Sequence, residues 1–195
     1  MPIPVAPESQ WFEPQELRRL FAAGEAIFLV DAARLQEFRG DSDRPLLNDL
    51  LPGAARGARW YAEGAIVPAF GVERGFYTVL VRSTETEGAM TPLSHIAFST
   101  GFVLGTETGE LLVANAERLE NWQSEGARIV LDGQDAGERR GVRVAPGWYG
   151  VTVVAGIRDN DESGDEEWVV CFLLEPQAEQ PEFFADTKKS LNVFG

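Results

Sequence analysis

With 195 residues, 31 acidic against 17 basic side chains and a net charge of -14, the chain can bury a sizeable core without disulfides, and its charge argues against direct binding to phosphate backbones. One cysteine, Cys171, and one histidine, His95, exclude an intramolecular disulfide, a multi-cysteine metal site and a two-histidine zinc site. Hydrophobic residues at 44% are ordinary for a globular protein. No stretch approaches the ~18 apolar residues of a membrane span, and the start Met1-Pro2-Ile3-Pro4-Val5 lacks the basic and long apolar regions of a secretory signal, so a cytoplasmic location is expected.

In chain order, Pro14 opens a segment with Leu17, Leu20 and Phe21 at helical spacing, and Gly24 follows where a helix cap would sit; the spacing predicts a short amphipathic helix. Ala26 to Val30 is a compact apolar run suited to a buried strand, after which Asp31 is placed to N-cap a helix over 32–38, closed by Gly40. Asp43-Arg44-Pro45 begins a further helical turn or two carrying Leu46, Leu47, Leu50 and Leu51, stopped by Pro52-Gly53.

From Arg59 the apolar period reads as two. Trp60 and Ala62, then Ile66 to Phe70 and Gly75 to Val81, are rich in β-branched and aromatic residues and predict strands. After a polar loop come Ile96 to Phe98 and Phe102 to Leu104; Gly109 then suits the positive-φ position of a hairpin leading into Leu111 to Val113. Ala116 to Trp122 reads as a helical stretch and Arg128 to Leu131 as a strand before the turn 132–137. Val142 to Val144, the turn Ala145-Pro146-Gly147 and Trp148 to Val154 read as a strand pair, and the acidic loop joins that strand to Trp168 to Leu174 as another.

Turn signals every ~8 to 12 residues point to a sandwich or barrel. The prediction is an α+β, mostly β single domain over 1–195: a helical part over 1–57, a β-rich body over 58–174 forming an antiparallel β-sandwich or strongly curved sheet, and an irregular tail over 175–195. The tail's Phe183, Phe184, Leu191, Val193 and Phe194 are too apolar for water and should pack back on the body. Gly75-Phe76-Tyr77-Thr78-Val79 and Gly147-Trp148-Tyr149-Gly150-Val151 share one Gly-aromatic-Tyr-x-Val shape, which fits either a faint duplication or two strands leaving tight turns.

The richest segment is 158–167, where six of the nine residues after Arg158 are carboxylates. Asp159, Asp161, Glu162, Asp165, Glu166 and Glu167 form a candidate contact surface for a basic partner. The same stretch opens like a calcium loop, with Asp159, Asp161, Ser163, Asp165 and Glu167 as candidate ligands. The helix-loop-helix pattern fails where its twelfth position, a bidentate glutamate, falls on Val170, and the plain alternative is a solvated loop that keeps a sheet edge soluble. No cofactor is called for.

Ser94-His95 invites a hydrolase reading, but adjacent strand residues point to opposite faces, and no G-x-S-x-G elbow is present. The glycines over 133–141 fit no phosphate-binding motif. Trp11, Trp60, Trp122, Trp148 and Trp168 offer either sugar-stacking surfaces or core packing.

The segment Val142 to Val153, following the strand Gly75 to Val81 and the turn around Gly109, resembles the small acidic bacterial β-proteins of the competence-J nuclease-inhibitor type, and is similar in style to immunity proteins that neutralise polymorphic toxins. The likeness spans 60–154 and carries over no functional residue. It implies a catalytically silent protein that binds another protein. The expected function is therefore an acidic, non-enzymatic inhibitor or immunity-type protein for a basic, nuclease-like partner. A calcium- or carbohydrate-binding β-module and a hydrolase using His95 are the alternatives.

Overall fold

In the computed structural model, residues 15–22, 24, 26–40, 45–52, 54–84, 92–120, 141–159 and 164–191 are described. The elements are β1 (Gln15–Ala22), β2 (Ala26–Asp31), α1 (Ala32–Arg39), α2 (Leu46–Leu50), α3 (Ala55–Ala62), β3 (Ile66–Phe70), β4 (Gly75–Ser83), β5 (Ser94–Thr106), β6 (Glu110–Asn115), α4 (Ala116–Glu120), β7 (Gly141–Arg143), β8 (Gly147–Asp159) and β9 (Glu166–Gln177). The described strands form a five-stranded sheet in the order β1-β4-β9-β8-β5 and a four-stranded sheet in the order β3-β2-β6-β7.

Alternation along β2 shows how the layers stack. Ile27 and Leu29 enter a core shared with Val79, Val153 and Phe172 of the larger sheet, whereas Phe28 and Val30 enter a second core with Leu35, Leu50, Trp60 and Leu119 from the helices. A strand whose two faces both meet apolar layers must be apolar throughout, which is why 26–30 reads as an unbroken run. The order of layers is helices, four-stranded sheet, five-stranded sheet. The protein is α+β and mostly β, an open two-sheet sandwich rather than a closed barrel.

Asp31 caps α1 as its sequence position predicts, its Oδ1 accepting from the backbone N of Arg34 at 2.9 Å. Four other expectations are corrected. Residues 15–22 are a strand, because a bulge sets Leu17 opposite Val79 and Leu20 opposite Tyr77, so three residues of β1 span two of β4 and imitate helical spacing. Trp60 and Ala62 lie in α3, which buries Gly57, Trp60 and Tyr61 at helical rather than alternating intervals. Gly109 does take the left-handed conformation, at φ 73, but β5 pairs with β8 and β6 with β2, so the turn carries the chain between sheets instead of closing a hairpin. Likewise β7 pairs with β6, not with β8. The strand expected at 128–131 and the turn at 132–137 lie outside the described residues.

β8 and β9 form the predicted antiparallel hairpin, in continuous register from Trp148 opposite Gln177 to Asp159 opposite Glu166. β9 also pairs with β4 in parallel, the one parallel ladder among the described strands. The segment after β9 lies across the side of the sandwich where β5 and β3 are the edge strands. Phe184 N donates to Gly101 O at 3.1 Å and Leu191 N to Phe70 O at 2.8 Å, and Leu191 is buried in the intersheet core. No helix among the described residues is long and apolar enough to cross a membrane.

Candidate functional site

The register of the five-stranded sheet aligns one row of side chains on the face turned away from the intersheet core. Phe21 of β1 stands opposite Phe76 of β4; Phe76 and Glu167 each directly precede the registered pair Tyr77 and Trp168; and Glu167 stands opposite Arg158 of β8. Tyr77, Trp168 and Ala155 face the core, so alternation turns Phe76, Glu167 and Arg158 outward.

Arg158 ties this row together. Its Nε donates to Glu167 Oε2 at 2.7 Å, and its Nη2 donates to Glu16 Oε1 at 2.8 Å. The hydroxyl of Thr78 donates to the other oxygen of Glu167. The Arg158 side chain is only 11% exposed, and its pKa is raised, chiefly by the hydrogen bond to Glu16, against the opposing effect of burial. Glu16, Thr78, Glu167 and Arg158 thus form one polar network reaching from β1 to β8.

One residue nearer the turn, Asp159 and Glu166 close the β8–β9 ladder, and both are exposed, as is Asp165. Of the six carboxylates expected to form a contact surface, the structure brings Asp159, Asp165 and Glu166 together at the end of this hairpin and ties Glu167 into the network with Thr78 and Arg158. Asp161, Glu162 and Ser163 lie outside the described residues. Among the described residues no three His, Cys, Asp or Glu side chains come together as a ligand set for a metal ion, and both oxygens of Glu167 are already engaged by Thr78 and Arg158.

Beside this end of the sheet, Ser94 donates its hydroxyl to the carbonyl of Ile157 at 3.3 Å. His95 is exposed at φ 49, within the register shift between Ser94 and Ala97. Ser94 is thus bonded to backbone, and no hydrogen bond joins it to His95 among the described residues. Three of the five tryptophans are described, and none is exposed: Trp60 is core, Trp148 lies under the guanidinium of Arg34 at 5.1 Å, and Trp168 packs on Tyr77 at 5.4 Å.

Sequence reasoning missed Glu16, Thr78, Phe76 and Arg158. A signal existed for the last: folding the hairpin about its acidic loop sets Arg158 against Glu167, an opposite-charge cross-strand pair. Glu16 and Thr78 had none, since their strands meet β9 only through the parallel crossover.

No protein-family model matches the chain, and no curated protein matches it. Among solved structures it is similar to "Crocagin biosynthetic gene J", at 16% identity and a TM-score of 0.48, covering 85% of this chain and 99% of that one. It is similar also to ComJ of Bacillus subtilis, described as an inhibitor of the DNA degrading activity of NucA, at 10% identity and a TM-score of 0.44, covering 86% and 98%.

Proposed function

We propose that the protein is a non-enzymatic binding protein of the cytoplasm whose acidic β8–β9 end docks on a basic protein partner, in the manner of a nuclease inhibitor or immunity protein. The supporting observation is the division of labour around Arg158. This cation next to the acidic end is held by Glu16 and Glu167, which leaves it neutralised within the sheet and unavailable to offset Asp159 and Glu166 beyond it. Carboxylates gathered at one end of a hairpin steer a cationic partner and raise its association rate. The functional class is the one that the description of ComJ gives for that protein.

The test is retention of proteins from host lysate at low salt by the wild type and by a variant carrying Asp159→Asn, Asp165→Asn and Glu166→Gln. The expected result is one basic protein retained by the wild type, released at roughly 0.5 M salt, where charges are screened within ~4 Å, and lost from the variant. Retention of the same protein by the variant would show that this end is not the contact surface.

A further inference from the structure

We propose that the outer face of the five-stranded sheet around Phe21 and Phe76 is a second docking surface, opposite in sign to the hairpin end, and that it receives an acidic segment of a protein partner in which carboxylates flank an aromatic or aliphatic side chain. Phe76 is 58% exposed although β4 is an inner strand of the sheet, flanked by β1 and β9. Its ring lies 5.2 Å from that of Phe21. The guanidinium of Arg19 stands over Phe76 at 5.6 Å, and that of Arg74 over Phe21 at 5.8 Å. Each ring of the pair thus carries one cation.

Charge fixes the sign of the occupant. Exposed arginines elsewhere find carboxylates: Arg56 pairs with Asp49, Arg59 with Glu63 and Arg143 with Glu110. Arg19 and Arg74 are exposed too, yet among the described residues neither forms an ion pair. Glu16 and Glu167, which project from the same face, are bonded to Arg158, and Asp159 and Glu166 alternate to the other side. In a chain carrying -14, two guanidiniums left without carboxylates beside apolar rings call for anions from outside. A guanidinium held over a ring keeps its in-plane N–H donors for a bidentate carboxylate.

Backbone conformation adds a second, independent observation. Arg19 sits at φ 59 inside the bulge of β1, a left-handed conformation unfavourable to any residue with a Cβ. Bulges re-aim side chains, and this one directs Arg19 onto the exposed ring. Arg74 is set by the turn that enters β4, one residue before Gly75. A surface that holds its aromatic and cationic groups in place before contact loses less conformational entropy on binding, and aromatic residues with arginine are the side chains that dominate binding energy at protein interfaces.

The same charges separate the classes of occupant. A nucleic acid strand gains affinity from a track of cations under successive phosphates; here two cations stand alone, and a longer polyanion would run on against a chain of -14. An acidic protein segment needs only the local contact. A second copy of this chain is the poorer fit, because each copy carries -14 and the two bodies would repel.

The experiment uses three dye-labelled, end-blocked peptides: glutamates around a central tryptophan, the same glutamates around glycine, and glutamines around tryptophan. They are titrated against the full chain at about 0.15 M salt, where the Debye length is roughly 8 Å and distant charges are screened. The wild type should bind the glutamate and tryptophan peptide about tenfold more tightly than either of the others. Arg19→Gln combined with Arg74→Gln should abolish the preference for glutamate over glutamine, and Phe76→Ala should abolish the preference for tryptophan over glycine while keeping that for glutamate. Arg19→Lys, which keeps the charge without the planar fork, should fall in between. All three side chains are exposed, so melting temperatures should stay close to that of the wild type. Neutralising Asp159, Asp165 and Glu166 should weaken none of the three peptides, since those carboxylates belong to the other surface.

Equal affinities for the three peptides in the wild type, or preferences that survive these substitutions, would overturn the proposal and leave the acidic hairpin end standing. Two further results would overturn the choice of occupant. Oligothymidylate that displaces the peptide, and no longer binds once Arg19 and Arg74 are neutralised, would assign the face to a nucleic acid strand; self-association by sedimentation that disappears in the same variant would assign it to a second copy.

Discussion

Arg158 and Glu167 face each other across the β8–β9 ladder with Nε 2.7 Å from Oε2, and this pair divides an acidic run that looks uniform in sequence into two kinds of carboxylate. Glu167 is a strut, engaged on both oxygens and 19% exposed. Its neighbour Glu166 points into solvent. Removing the charge at Glu167 by glutamine leaves one acceptor oxygen for two donors, Thr78 Oγ1 and Arg158 Nε, and ends the charge pairing with the guanidinium, for which a loss of about 1 to 3 kcal/mol is expected. Glu166→Gln should stay within about 0.5 kcal/mol of the wild type. Urea denaturation of Glu167→Gln and Glu166→Gln checks the contrast, and equal midpoints would show that the network carries no stability.

Asp31 is a buried carboxyl, 1% exposed, whose pKa is raised above 3.8 by desolvation, with the backbone N–H of Arg34 acting in the other direction. A folded-state pKa above the unfolded one means that the protonated form fits the fold better. The associated stability is complete below the unfolded pKa and is lost as pH rises through the folded one. Asp31→Asn keeps an N-cap acceptor and carries no charge, so at pH 7 it should equal or exceed the wild type in stability and show a flatter profile over the acid range. Asp31→Ala also removes the cap and should cost ~1 kcal/mol or more. Urea midpoints from pH 4 to 7 decide it; an asparagine variant much weaker at pH 7 would mean that attraction to Arg34 outweighs burial.

How much of this was legible follows from how local each signal is. The buried run of β2, the cap at Asp31 and the β8–β9 hairpin lie within short windows, and all three were read correctly. The failures involve partners remote in sequence. Leu17 and Leu20 were three apart because of a bulge against β4, which no local spacing distinguishes from a helix turn. The turn at Gly109 was right in conformation and wrong in consequence, since which sheet receives β6 depends on β2, some eighty residues earlier. The acidic end was conspicuous as composition, but the strut role of Glu167 needed Thr78 and Glu16, which no period or motif connects to it.

Tyr77 and Tyr149 give the two Gly-aromatic-Tyr segments a shared physical basis. Each hydroxyl donates to the carbonyl four residues earlier, Tyr77 to Glu73 at 3.1 Å and Tyr149 to Ala145 at 2.5 Å, fastening the entering turn to the strand. Burial pushes both phenols up to about 12. Tyr149→Phe should cost about 1 to 2 kcal/mol, because its bond is buried and the carbonyl of Ala145 is left short of a donor; Tyr77→Phe, part-buried, should cost less. Phenolate absorbance should show neither tyrosine ionising below about pH 11 in the folded protein. Titration of both near pH 10 without unfolding would contradict the burial.

Cys171 lies on the outward face of β9 with Leu80, Val154 and Val169, and is 0% exposed. Burial pushes its thiol up to about 12, with the charge of Arg82 opposing weakly. The thiolate is the reactive form, so native protein at pH 8 should react with a disulfide reagent only as fast as it unfolds, and rapidly in urea. Prompt labelling of the folded chain would mean that this face opens on the timescale of the assay.

Gly101 is where the segment after β9 comes closest to β5. Its φ of +89 is strained for any other residue, and a Cβ there would stand 2.5 Å from the ring of Phe184 and 2.9 Å from the backbone N of Ala185. The carbonyl of Gly101 also accepts from Phe184 N. Gly101→Ala therefore meets two separate penalties, a backbone one of about 1 to 2 kcal/mol and a steric one that displaces the strap. The ring contributes to the second, and Phe184 is itself 69% exposed, so Phe184→Ala alone should cost little. In a double-mutant cycle the cost of Gly101→Ala should fall by about 1 kcal/mol in the Phe184→Ala background, since contacting residues do not add. The remainder measures φ and the clash with Ala185. Strict additivity in the cycle would show that Phe184 does not rest on Gly101, and that the strap is held only by its hydrogen bonds and the burial of Leu191.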